Sequence, residues 1–282
     1  MSYKTVLAYI RSESELPRIL SAVELVVAKH PDAHIVGLYS IPAAAVYADI
    51  NGFIDPGMFE MHDKHHDENA LKIKKSFDAA MKNGTNSYEF QIIKSDTGTG
   101  AQGATQIACG ADLIITGQTD LDDPDIANDA IDTLVFDSGR PVLMVPLKPV
   151  NPIKALDRIA IAYNGKREGS RAAMDALPLL KTAERVELLW IDPPLDDQGQ
   201  GIIPQAQELA KALNRHGVDI SIQTLTSSGR SAMETLQEYL QATNTDMMVM
   251  GAYSHSRLRE LVFGGMTKSV LGNMPALTLF SR

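Results

Sequence analysis

The chain has 282 residues, 44% of them hydrophobic, with a formal net charge of -9 and a pI near 5.2. That length suits two domains of roughly 140 residues each. The acidic balance argues against a nucleic-acid binder or a partner of anionic membranes, since both need a basic face.

In chain order, "MSYKTVLAYI" carries one lysine before a short alternating run and lacks a long apolar stretch. It reads as a first strand and not as a secretion signal. No window reaches the ~18 apolar residues of a membrane span. Cys109 is the single cysteine, so an intramolecular disulfide framework is excluded and a reducing compartment is indicated; its plain reading is a small buried hydrophobe. A soluble, cytoplasmic protein is the expectation.

Next, "MHDKHHDEN" sets His62, His65 and His66 at helical spacing beside Asp63 and Asp67. Two histidines four apart can share a helix face and hold zinc, but the segment reads more simply as a solvated helix start; a pH-sensing cluster is a third reading. "GTGAQG", Gly98 to Gly103, satisfies the dinucleotide pattern G-x-G-x-x-G between the strand-like "YEFQIIKS" and the helix-like "ATQIA". The supposed helix is short and the strand is the third of its domain, whereas that fingerprint belongs to a first strand followed by a full-length helix.

The chain repeats itself. "VLAYIRSESELPRILSAVELVVAKHPDAHIVGLYSI" resembles "IAIAYNGKREGSRAAMDALPLLKTAERVELLWIDP", with Ala8-Tyr9 on Ala162-Tyr163, and "ADLIITG" resembles "TDMMVMG", with Asp112 on Asp246 and Gly117 on Gly251. The second match runs on to Thr133/Thr267, Pro141/Pro275 and Leu143/Leu277. The first copy carries its surplus after Ile41, and the copies meet at "PLKPVNP", Pro146 to Pro152, whose prolines forbid a continuous strand or helix.

In the second copy "RIAIAY", "RVELLWI", "VDISIQTL", "DMMVMG" and "ALTLF" read as strands. "EGSRAAMDALPLLKT", "IPQAQELAKALNRHG" (stopped by Gly217) and "SAMETLQEYLQAT" read as the helices between them, with a last short helix near Thr267. Strands alternating with helices make a parallel sheet covered on both faces. Ligands of such sheets sit beyond the carboxyl ends of the strands, where the winding switches. The methionines Met247, Met248 and Met250 read as strand core.

A strand ending in Met250-Gly251, a basic loop, Gly264-Gly265 and a short helix leading to "PALTLF" resemble the universal stress protein family, and the duplication resembles its tandem-domain members. The resemblance implies two tandem doubly wound, five-stranded parallel-sheet α/β domains, Rossmann-like and adenine nucleotide alpha hydrolase-like. They would span residues 1–147 and 153–282 and pack as an internal pseudo-dimer through "PVLMVPL" and "PALTLF"; a homodimer and a client protein would be further partners.

Nucleotide-binding members of the family carry a glycine, two residues, a glycine, nine residues, then glycine and a hydroxyl residue. Gly251 and Gly264 fit, Ser254 stands at the second glycine and Gly265 at the hydroxyl position, with Thr267 near enough to supply one. Glycines let backbone N–H groups reach phosphate oxygens, and a following helix N-terminus adds its dipole; His255 lies in this loop, and Arg257 and Lys268 add charge. The resemblance further implies Ala162, Tyr163 and Asn164 beside the nucleoside, Asn164 where the family commonly has aspartate, and Leu189 lining the base pocket.

From Gly251 to Asn273 the ionised side chains sum to +2, whereas Gly117 to Gly139 holds seven aspartates and no lysine or arginine. A triphosphate would be repelled from the first copy unless metal ions intervened. The resemblance thus implies a stress-response protein that binds ATP or a related adenine nucleotide, with Mg accompanying ATP, as a regulatory ligand, and the charge contrast assigns that site to the second domain. It would be at most a weak ATPase, because no general base is evident near the phosphates. Two alternatives are an interaction protein without nucleotide and an enzyme acting on a small adenylated substrate. A nucleophile turn G-x-S-x-G and a Walker loop are both missing, and His255 between Ser254 and Ser256 has no orienting acid.

Overall fold

The computed structural model describes residues 2–44, 56–96, 98–127, 129, 131–195, 201, 203–252 and 265–282, with only the backbone at 56 and 265–268. The chain divides into two compact units, Lys4–Arg140 and Pro141–Arg282, the latter including Met1–Tyr3.

The first unit runs β1 (Thr5–Tyr9), α1 (Leu16–Lys29), β2 (His34–Ile41), α2 (Pro56–Met81), β3 (Tyr88–Lys94), α3 (Gly100–Ala108), β4 (Leu113–Gly117) and α4 (Asp132–Asp137). Its strands pair in the order β3-β2-β1-β4, all parallel. In β1, β2 and β4 nearly every side chain is buried. That is why these segments read as continuous apolar runs and not as alternating ones. Helix α1 starts with Pro17 in its first turn, where the missing N–H costs nothing, and buries Leu16, Ile19, Leu20, Val23 and Val26 along one stripe.

The second unit runs β5 (Val142–Val145), β6 (Arg158–Ala162), α5 (Arg167–Asp175), α6 (Leu177–Leu180), β7 (Arg185–Ile191), α7 (Pro204–Arg215), β8 (Ile220–Leu225), α8 (Ala232–Ala242), β9 (Met247–Gly251), α9 (Gly265–Gly272) and β10 (Leu277–Ser281). Strands β8-β7-β6-β9-β10 are parallel in that order, which repeats the order of the first unit. Strand β5 pairs antiparallel with β10, Leu279 opposite Leu143. The compact division therefore falls at Arg140, ahead of the proline-rich segment 146–152, because the fifth strand of the first repeat bonds to the last strand of the second.

Local chemistry explains several boundaries. The expected helix "EGSRAAMDALPLLKT" is broken into α5 and α6, with Pro178 in the first turn of the second piece. Helix α8 begins at a reciprocal cap: Ser231 Oγ accepts from Glu234 N–H at 3.2 Å, and Glu234 Oε2 accepts from Ser231 N–H at 2.9 Å. After α7, Gly217 takes a φ of +85° and ends the helix.

The repeat match Asp112/Asp246 has a physical cause. Asp112 Oδ2 accepts from the N–H groups of Lys4 (2.7 Å) and Thr5 (3.0 Å). Asp246 Oδ2 accepts from those of Asp157 (3.0 Å) and Arg158 (2.8 Å). In both units a carboxylate just before the fourth strand pins the amino end of the first, which fixes the two strands flanking the switch point.

Candidate functional site

At each switch point the carboxyl ends of the central strands form a rim: Tyr9 and Gly117 in the first unit, Ala162 and Gly251 in the second. In the second unit Tyr163 prolongs β6, its N–H donating to Leu189 O at 2.9 Å. The Tyr163 ring meets Trp190 edge-on at 5.7 Å, and its hydroxyl lies 3.1 Å from Ser170 Oγ. Asn164 Oδ1 accepts from Lys166 N–H at 3.2 Å, closing a turn in which Gly165 takes a φ of +74°. The turn leads into α5 with Lys166 and Arg167 exposed.

Among the expected site residues, Ala162, Tyr163, Asn164 and Gly251 come together at this rim. Leu189 is buried, 1% exposed, on β7 in register with Ala162. Ser254, His255, Arg257 and Gly264 lie outside the described residues. Gly265 and Thr267 fall in the first turn of α9.

Gly251 has a packing reason as well: a Cβ there would stand 2.4 Å from Glu168 C and 2.5 Å from Gly169 N. The end of β9 thus touches the backbone of the first turn of α5.

The first rim is built differently. Arg11, buried, donates from Nε and Nη2 to Glu15 at 3.2 and 2.8 Å and from Nη2 to Gly117 O at 2.7 Å. Burial works against the guanidinium's charge, but Glu15 outweighs it and holds Arg11 above its ordinary pKa. The aspartates of the acidic segment fold onto this rim. Asp123 Oδ2 accepts from Ser12 Oγ (2.9 Å) and Ser14 Oγ (2.6 Å), and Asp129 accepts from Tyr9 Oη and Ala101 N–H, both at 2.9 Å. Burial, with Asp129 beside it, pushes the Tyr9 phenol well above its usual range, so it stays a donor.

Asp129 therefore sits at the N-terminus of α3, where an anion would otherwise be favoured. Repulsion was the sequence argument against phosphate here; occupation by the chain's own carboxylates is the structural one. Two glycines of "GTGAQG", Gly100 and Gly103, turn out to be spacers. A Cβ at Gly100 would be 2.6 Å from Ser40 O and from Tyr9 Oη, and one at Gly103 would be 2.6 Å from Ser40 Oγ. They let α3 lie against the end of β2.

The first unit holds a cavity of 630 Å³ lined by Tyr9 at the end of β1, Arg11 beyond it, Tyr39 and Ser40 of β2, Gly98 to Gly100, three histidines of α2, Asp125 and Asp129, a lining that sequence reasoning did not assemble. The histidines are not simply a solvated helix start, since His62, His65 and His66 all line this wall. The His62 and His66 ring centroids are 4.5 Å apart. His66 Nδ1 bonds Tyr39 Oη at 2.7 Å, and His65 Nε2 lies 2.8 Å from Asp125 Oδ1. Among the described residues no group of three His, Cys, Asp or Glu side chains is arranged to hold a metal ion. The signal for this wall was the i, i+4 spacing of His62 and His66; which side of α2 it faced was not a property of the helix alone.

Burial, reinforced by His62 and His65, holds His66 down at about 4. In the unfolded chain a histidine titrates near 6.5, so the unfolded state takes up this proton first. The contribution of neutral His66 is intact above about pH 6.5 and is lost progressively as pH falls towards 4. We expect the melting temperature to drop across that window, and His66→Gln to flatten the drop; an identical pH profile in the variant would refute the assignment.

No protein-family model matches the chain and no curated protein matches it. Among solved structures, a universal stress protein from Archaeoglobus fulgidus DSM 4304 is similar with a TM-score of 0.67 at 13% identity, covering 99% of this chain and 96% of that one. A protein of unknown function from Pseudomonas aeruginosa PAO1 is similar at 0.57 and 15%, covering 99% and 92%. Among the described residues no helix is long and apolar enough to cross a membrane. With both repeats matched end to end and the same strand order in each, the chain has the fold of a tandem universal stress protein.

Proposed function

We propose that this is a stress-response protein of the universal stress type, working in the cytoplasm, whose second unit binds ATP or a related adenine nucleotide as a regulatory ligand, Mg accompanying ATP. The observation that carries this reading is the contrast between the rims. In the first unit the donors that could face an anion, Ser12, Ser14, Tyr9 and Ala101 N–H, are bonded to Asp123 and Asp129. In the second, the corresponding turn holds Asn164, Lys166 and Arg167, and no carboxylate bonds them among the described residues. Ala162, Tyr163 and Asn164 would meet the nucleoside; Gly251, Ser254, His255, Arg257, Gly264, Gly265 and Thr267 would surround the phosphates. No step of catalysis is assigned, and hydrolysis would be slow.

Arg257→Glu combined with Lys268→Glu is expected to weaken binding of MgATP at least tenfold in titration calorimetry. An unchanged Kd would overturn the placement of the phosphates. A second reading, an interaction protein without nucleotide, is favoured by Asn164, whose Oδ1 is already committed to its turn. No heat and no thermal shift with millimolar ATP would establish that reading instead.

A further inference from the structure

The cavity of the first unit suits a different ligand from the one proposed for the second. We infer that it binds a flat organic cation, an aromatic or heteroaromatic body carrying positive charge, and excludes phosphates.

The charge on its walls decides the sign. Among the described residues two carboxylates, Asp125 and Asp129, and one guanidinium, Arg11, line the cavity, and no lysine does. Arg11 is paired with Glu15, 1% exposed behind it, a carboxylate it shares with the more distant Arg18 at 3.4 Å. Asp129 accepts from a phenol and a peptide N–H, and Asp125 accepts from His65 and from Asn69 Nδ2 at 3.1 Å. Among the described residues neither carboxylate is paired with a lysine or arginine, and His66 is neutral at physiological pH. The space therefore lies at negative potential, which raises the local concentration of cations and repels anions. Since Asp129 also occupies the α3 N-terminus, no backbone cradle is left there for a phosphate.

The shape and polarity of the walls decide the body of the ligand. Tyr39, His62 and His66 present ring faces and edges within one patch, the Tyr39 and His66 centroids being 6.2 Å apart, and Pro42, Ala43, Ala44 and Pro124 supply the rest as apolar surface. Ring faces attract cations as well as apolar planes. A volume of 630 Å³ lies inside the range of about 300–1,000 Å³ found for small-molecule sites. The polar groups are tied to one another before any ligand arrives, through Tyr39 to His66, His65 to Asp125 and Tyr9 to Asp129, so the walls need little reorganisation on binding.

The test uses the full-length protein and two fluorescent aromatic probes of opposite charge, thioflavin T (cationic) and 8-anilinonaphthalene-1-sulfonate (anionic). Thioflavin T should bind saturably with one site per chain, at least tenfold more tightly than the anionic probe. Asp125→Lys should weaken thioflavin T at least tenfold, and Ala43→Trp, which fills the cavity without touching a charge, should abolish the site, both variants keeping the wild-type far-UV circular dichroism. Should Asp125→Lys perturb the fold through His65 and Asn69, Asp125→Asn keeps a hydrogen-bonding oxygen and should still weaken the cation at least threefold. Thioflavin T failing to saturate, binding unaffected by Ala43→Trp, or an anionic probe that binds more tightly and is displaced by Ala43→Trp would each overturn the inference. The nucleotide reading is scored separately by MgATP calorimetry on the same samples: Ala43→Trp should leave that isotherm unchanged, so either proposal can fail alone.

Discussion

Glu15→Ala is expected to destabilise the protein by about 3–5 kcal/mol, the cost of leaving a buried charge without its partner. The side chains of Arg11 and Glu15 are 2% and 0% exposed, so the guanidinium is left almost wholly desolvated once the carboxylate is gone. Glu15 Oε1 also accepts from Arg11 N–H at 2.6 Å, and removing it orphans a backbone donor as well. Arg18, whose Nη2 lies 3.4 Å from Glu15 Oε2, would lose part of its own anchorage. Removing both members tells the pair's net worth from the penalty of breaking it. Arg11→Met with Glu15→Leu should be more stable than Glu15→Ala alone by about 2 kcal/mol, because the stranded charge is gone while the orphaned Arg11 N–H remains. Urea unfolding followed by far-UV circular dichroism measures both; a Glu15→Ala variant as stable as wild type would show the cluster to be open to solvent.

Gly251→Val should cost about 3 kcal/mol, at the upper end of overpacking penalties. The first added atom would lie 2.4 Å from Glu168 C, 2.5 Å from Gly169 N and 2.7 Å from Glu168 O. All three are backbone atoms, so relief requires α5 to shift away from β9. Gly272→Ala is the control, since among the described residues nothing lies within 4 Å of a Cβ there; it should be neutral. Trp190 is the single tryptophan of the chain and lies in the second unit, so its fluorescence reports unfolding of that unit. A Gly251→Val midpoint equal to that of Gly272→Ala would refute the close approach. The same variant separates two roles for this glycine: loss of stability without loss of nucleotide affinity would assign it to packing alone.

The second-unit rim was partly legible. Asn164-Gly165 could be read as a turn from residue type, because a short acceptor side chain followed by glycine closes one whatever surrounds it. Leu189 could not be assigned in the same way, since an apolar strand residue reads alike whether it lines a pocket or supports one. "GTGAQG" misleads for a related reason. Glycine marks a close approach without saying to what, and here the neighbour is the end of β2.

What the sequence determined by itself were the features carried by local periodicity and by repetition: two copies of one unit, parallel strands alternating with helices, and a strand end at Gly251 with a basic stretch after it. Backbone hydrogen bonding and side-chain period act over a few residues, so they are written in consecutive positions. The pairing of β5 with β10 was implied by the resemblance, but the tertiary structure alone decided that Asp129 reaches Tyr9 across 120 positions of sequence. It also decided that three histidines turn towards a cavity. Which carboxylate meets which donor depends on where folding brings distant segments, and a run of seven aspartates has the same composition whether it repels a ligand or takes the ligand's place.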